Sequence, residues 1–164
     1  MGAPTVFSNL SNGVICHAGA VAVSLWTSPL TSESVRELRR GMQTQHAAHP
    51  SGIYSLGIYR FTTLGGGFDE GVRQEIAQLL AETRSCVRAG AVVIDSPGLV
   101  AAAIRMAFSG VLLLARSSAP MKAFSTVDDA LAWLSAREGF PTGGAAGARL
   151  AITLAERTHT ARAA

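Results

Sequence analysis

Apolar positions along the chain change period several times, and each change marks a predicted element. Residues 14–18 and 20–26 read as two strands joined tightly at Gly19. In the second, Val21, Val23 and Leu25 alternate with Ala22, Ser24 and Trp26, the period of two that gives a strand two unlike faces. From Thr31 or Ser32 to about His49 the period turns helical, with Val35, Leu38 and Met42 as a stripe and Arg36, Glu37, Arg39, Arg40 and Gln43 opposite. Glu33 and Arg36, and Glu37 and Arg40, stand at ion-pairing spacing. His49-Pro50-Ser51-Gly52 stops that helix. Residues 53–61 (IYSLGIYRF) then predict a strand, with Gly57 marking a close backbone approach or a bulge.

The loop TTLGGGFDEG leads into a helix with Val72, Ile76, Leu79, Leu80, Thr83 and Val87 on one face. Asp69 and Glu70 sit at its start and Arg84 and Arg88 at its end, each with the sign the helix dipole favours. Within residues 88–134, two uniformly apolar runs, 91–94 and 111–115, predict parallel strands buried on both faces. Between them Ser96 reads as the N-cap of a helix with Pro97 at its first position. Thr126 and Asp129 have capping-box spacing for a last helix whose buried stripe is Val127, Ala130, Leu131 and Leu134, with Trp133 at the edge of the core. Beyond Arg137, Ala, Gly and Arg dominate. Leu150 and Leu154 predict at most a short helix over 148–157 after a glycine-rich linker.

The order β-β-α-β-α-β-α-β-α predicts an α/β domain over residues 13–137, a mostly parallel sheet with one antiparallel edge and helices packed against it. Residues 1–12 read as a lead and 138–164 as an appendage. A chain of 164 residues, 48% of them hydrophobic, has material for one core of this kind.

Charge narrows the partners. The formal net charge is +3, yet Lys122 is the sole lysine and the arginines are scattered, so no nucleic-acid face is expected. Cys16 and Cys86 are too few for a disulfide framework and fit a reducing compartment. No signal-peptide pattern and no run near the roughly 18 apolar residues of a membrane span is present, so the expected location is the cytoplasm.

Candidate chemistry is sparse. Gly65-Gly66-Gly67 follows a strand, but the dinucleotide and P-loop spacings are absent and Asp69-Glu70 puts negative charge where phosphate would lie. His46 and His49, with Cys16-His17 elsewhere, lack metal-ligand spacing. No Gly-x-Ser-x-Gly elbow occurs, and neither cysteine has an activating neighbour in a motif. Arg105 and Arg116 each border an apolar run and are candidates for a shared anion contact. No catalytic residue, cofactor or metal is expected.

Val93-Ile94-Asp95-Ser96-Pro97-Gly98-Leu99, at a strand end opening a helix, resembles the Ile-Asp-Ser-Ser-Gly-Leu motif of the STAS family of anti-sigma-factor antagonist domains. Phe124 with Val127, Ala130, Trp133 and Leu134 is similar to the SpoIIAA-like, STAS/SEC14 proteins of bacteria, and the likeness spans about residues 13–135. The resemblance implies a non-catalytic regulatory or scaffolding module. It would bind a protein partner, or itself, around Asp95, Ser96, Pro97, Gly98 and Leu99. In the family the second serine of the motif is the one phosphorylated, and here Pro97 stands in that place, so the resemblance carries no phospho-switch. Its SEC14 side implies an alternative, a small-molecule or lipid-binding module with an apolar pocket between sheet and helix.

Overall fold

In the computed structural model, which describes residues 2–61, 69–115 and 119–163, six strands and five helices form an α/β fold. β1 (Thr5–Leu10), β2 (Gly13–Ala18) and β3 (Val21–Trp26) form an antiparallel meander, and β2 turns into β3 through Gly19 at φ 58. Then follow α1 (Ser32–Ala48), β4 (Ile53–Tyr59), α2 (Glu70–Thr83), β5 (Val87–Ile94), α3 (Gly98–Ala115), β6 (Met121–Phe124), α4 (Val127–Ser135) and α5 (Gly144–Ala163). β3 to β6 are mutually parallel, and the sheet order is β1-β2-β3-β4-β5-β6. The expected mostly parallel sheet with an antiparallel edge is therefore present.

Because each crossover steps to the next strand in the same direction, α1, α2 and α3 fall on one face of the sheet. Val35, Met42, Val72, Leu79, Val100 and Ile104 pack there against Ile15, Trp26, Val92 and Ile94. The other face, with Val23, Leu25, Leu56, Ile58 and Val93, is covered by α4 through Leu131 and Leu134 and by α5 through Ala148, Ala151 and Ala155.

Local signals explain the helix ends. The Thr31 hydroxyl accepts from the Ser34 amide in a capping box opening α1, and the Thr126 hydroxyl accepts from the Asp129 amide at 3.1 Å opening α4. Glu37 and Arg40 pair at 2.7 Å as their spacing predicts. Trp133 lies at the core edge, half-buried, with Arg137 over its ring.

Four expectations change. Residues 111–115 are the last turns of α3, and the strand at that edge is Met121–Phe124. A short apolar run has no period of its own, and this one simply continues a helix that began at Gly98. Residues 5–10, expected in a lead, pair with β2 as an edge strand. Val87, expected on a helix face, belongs to β5, because α2 stops at Thr83, whose hydroxyl donates to Leu79 O at 2.8 Å. Past Arg137, the helix expected over 148–157 extends to 20 residues, with Ala148, Ala151 and Ala155 fully buried against the sheet.

Candidate functional site

The site grows out of the strand period. Along β3, β4 and β5 the rows facing α4 and α5 are Val23, Leu56 and Ala91, then Leu25, Ile58 and Val93. The rows facing α1–α3 are Ala22, Ser55 and Gly90, then Ser24, Gly57 and Val92. Small side chains thus stand in adjacent registers on one face alone. Helices resting on the larger residues around them cannot reach this floor, and a pocket remains.

Met42 of α1, Leu79 and Leu80 of α2, and Ile104 and Phe108 of α3 wall that pocket. Its volume is about 70 Å³, several times the roughly 10–15 Å³ that one water requires on the same scale. Met121 closes the β6 side by lying across Gly90, where any Cβ would collide with its sulfur. The Tyr59 ring folds back over Gly57, 3.3 Å from where a Cβ would sit. Gly57 is thus a close approach, while the irregular register of β4 falls at Ile53 and Tyr54. Polar groups on the floor are few. Ser24 accepts from Trp26 Nε1 at 3.0 Å, and Ser55 lies in register between Ala22 and Gly90.

The 95–99 turn lies at the same end of the sheet as Tyr59 and touches the pocket through it. Asp95 N donates to Tyr59 O at 2.9 Å, and the Asp95 carboxylate accepts from Arg60 Nε at 2.9 Å. Arg60 also reaches Glu156 on α5 at 3.0 Å. Ser96 is not the N-cap. Its hydroxyl accepts from Phe61 N at 2.9 Å and donates to Tyr59 O at 3.3 Å, so it ties the ends of β4 and β5 together. Pro97 holds the capping place by its carbonyl, which accepts from Val100 N and Ala101 N, and Gly98 at φ 41 is the first residue of α3. Leu99 is 81% exposed, as is Met106 at 73% two turns further along the helix.

The other expected residues are dispersed. Arg105 lies on the exposed side of α3 and donates weakly to Ser125 Oγ at 3.4 Å. Arg116 and the Gly65-Gly66-Gly67 run lie outside the described residues. His46 is in the last turn of α1 and His49 caps its end. Among the described residues, no three His, Cys, Asp or Glu side chains gather as a metal site would require. Burial pushes the Cys16 thiol up to about 11, which keeps it protonated and unreactive at neutral pH. Burial also raises Cys86, whose Sγ donates to Thr83 O at 3.1 Å.

The SEC14 side of the resemblance implies an apolar pocket between sheet and helix, but sequence reasoning does not place the residues that line it, although half their signal is visible. The alternation of Val21, Val23 and Leu25 with Ala22 and Ser24 appears in one strand. That Ser55, Gly57 and Gly90 stand beside them depends on register, which no local pattern carries.

Fold and pocket define a class, an α/β sheet protein with helices on both faces and a small apolar cavity beneath three of them. The chain matches no family model, no curated protein and no solved structure. Among the described residues, no helix is long and apolar enough to cross a membrane.

Proposed function

We propose that the chain is a non-catalytic, STAS-like module that holds a small apolar molecule between its sheet and α1–α3. The observation that carries this reading is the set of small residues Ser24, Ser55 and Gly57, which stand in adjacent registers and floor a cavity with apolar walls. The STAS-like assignment itself rests on the 93–99 motif and is supported by the order of strands and helices after the first hairpin.

Size selects the ligand. A cavity of about 70 Å³ suits a short alkyl chain or a single ring, and a whole phospholipid does not fit. Ser55→Leu, which fills the floor, should leave the fold intact and weaken binding of a single-ring fluorinated probe, followed by its fluorine NMR signal, at least about tenfold. Wild-type protein that takes up no probe and shows no thermal shift with short-chain alcohols or simple arenes would overturn the proposal.

A second reading has its own observation. Leu99 and Met106 are both largely exposed and seven positions apart, which places them on one side of α3, beside the 95–99 turn. They supply an apolar contact for a protein partner or a second copy. Sedimentation of wild type against a Leu99→Ser, Met106→Gln variant tests self-association. A monomer in both, with unchanged capture of every partner from native cells by the variant, would dismiss this surface.

A further inference from the structure

At the other end of the sheet, where the parallel strands begin, a cleft of about 690 Å³ lies between the starts of β4 and β5 and the segment following α4. Two arginines line it, Arg88 from β5 and Arg137 from just past the end of α4. Each is anchored through Nε to a backbone carbonyl, Arg88 to Ser51 O at 2.8 Å and Arg137 to Trp133 O at 3.2 Å. Arg137 also lies over the Trp133 ring, 4.6 Å from its centroid. Among the described residues neither has a carboxylate within ion-pairing distance, whereas Arg39, Arg60 and Arg149 each do.

The bed of Arg88 is built for it. Gly52 has φ 116, a conformation that disfavours any side chain, and a Cβ there would stand 2.6 Å from Arg88 Nε. Glycine therefore allows the turn and clears the space in which the guanidinium lies. Tyr54 forms the floor, its hydroxyl donating to Glu138 O at 2.6 Å and its ring edge-on to Phe140 at 5.0 Å. Burial raises the Tyr54 phenol, Arg88 opposes that rise and Glu138 adds to it, so both charges act on one point of the cleft.

Two anchored arginines whose outer nitrogens bond no other described residue offer the planar fork that fits phosphate or carboxylate, and together they match the charge of a phosphomonoester dianion. Glu138 also lines the cleft, and its carboxylate is an acceptor for hydroxyl groups that would repel a second anion. The volume is that of a site for a small molecule. We infer that this cleft binds a hydroxylated phosphomonoester, with phosphate at Arg88 and Arg137 and a hydroxyl at Glu138. The site is separate from the apolar pocket and does not depend on it.

Ribose 5-phosphate, inorganic phosphate and ribose, each titrated into the full chain at low salt and followed by amide chemical shifts, test the assignment. Ribose 5-phosphate should bind more tightly than phosphate, and ribose alone should leave residues 49–54 and 137–141 unmoved. Arg88→Gln and Arg137→Gln, on different elements so that one folding failure does not decide the matter, should each weaken ribose 5-phosphate about tenfold or more. Glu138→Gln should narrow the gap between ribose 5-phosphate and phosphate. No shift in the cleft at about 10 mM ribose 5-phosphate, or unchanged affinity in folded Arg88→Gln and Arg137→Gln proteins, would overturn the inference. Equal affinity for phosphate and ribose 5-phosphate would overturn the role of Glu138.

Discussion

On one side of the sheet Val23, Leu56 and Ala91 stand in register beneath α4 and α5, which bring Leu131, Leu134 and fully buried alanines down onto them. On the other side, one residue along each of the same strands, Ser24, Gly57 and Val92 stand beneath α1–α3 and a cavity remains. The residues of a single strand therefore specify two surfaces independently. One is covered by buried helix side chains and carries stability, and the other gives up packing to leave room. A strand's period of two is what permits this division, since a change on one face leaves the other in place.

Truncation should expose the difference most strongly. Leu56→Ala, on the filled face at 0% exposure, should cost about 3 kcal/mol by urea denaturation. A loss under about 1 kcal/mol would mean that the two faces are equally loose. Enlargement should give the next largest contrast. Ala151→Leu on α5, at a position fully buried against the sheet, should destabilise by about 2 kcal/mol. Ser55→Leu, entering the cavity, should change stability by less than about 1 kcal/mol. Comparable losses in the two variants would erase the distinction.

The smallest effect is electrostatic. His17 sits on the looser face with its ring stacked on Phe7 at 4.9 Å, and burial, with a smaller contribution from His49, lowers its folded pKa below 6.5. The unfolded chain therefore takes up a proton before the folded one does. Stability from this group is fully present above pH 6.5 and is lost as pH falls through the lower folded value. His17→Gln should flatten that part of the urea midpoint against pH, and an unchanged slope would assign the pH dependence elsewhere.

Much of the fold was legible because its signals are local. Caps at Thr31 and Thr126, the stripe of Val35, Leu38 and Met42, and the alternation in β3 all act within a few residues. What escaped was long-range or carried by residues with weak signals of their own. The buried stripe of α5 is alanine at 148, 151 and 155, correctly spaced but almost silent in hydrophobicity. β6 is a short edge strand, half-exposed in part, beside a far more apolar run that belongs to a helix. Ser96, read as a cap, finds its partners 35 and 37 residues away. Arg88 and Arg137 come together only because the starts of two parallel strands and the end of a helix meet at one edge.

The helix that covers β2 and β3 is made long after them. α5 occupies the final 20 residues of secondary structure, packs Ala148, Ala151 and Ala155 against Val14, Cys16 and Val23, and is fastened to the first strands by His159 to Thr27 at 3.1 Å and by Arg162 to Asn9 O at 2.9 Å. During synthesis, the β2–β3 hairpin thus waits for residues 144–163 before its apolar face is covered. Any product that ends before Gly144 displays that face to solvent, so the cell's proteases can recognise an incomplete copy by the surface it fails to hide.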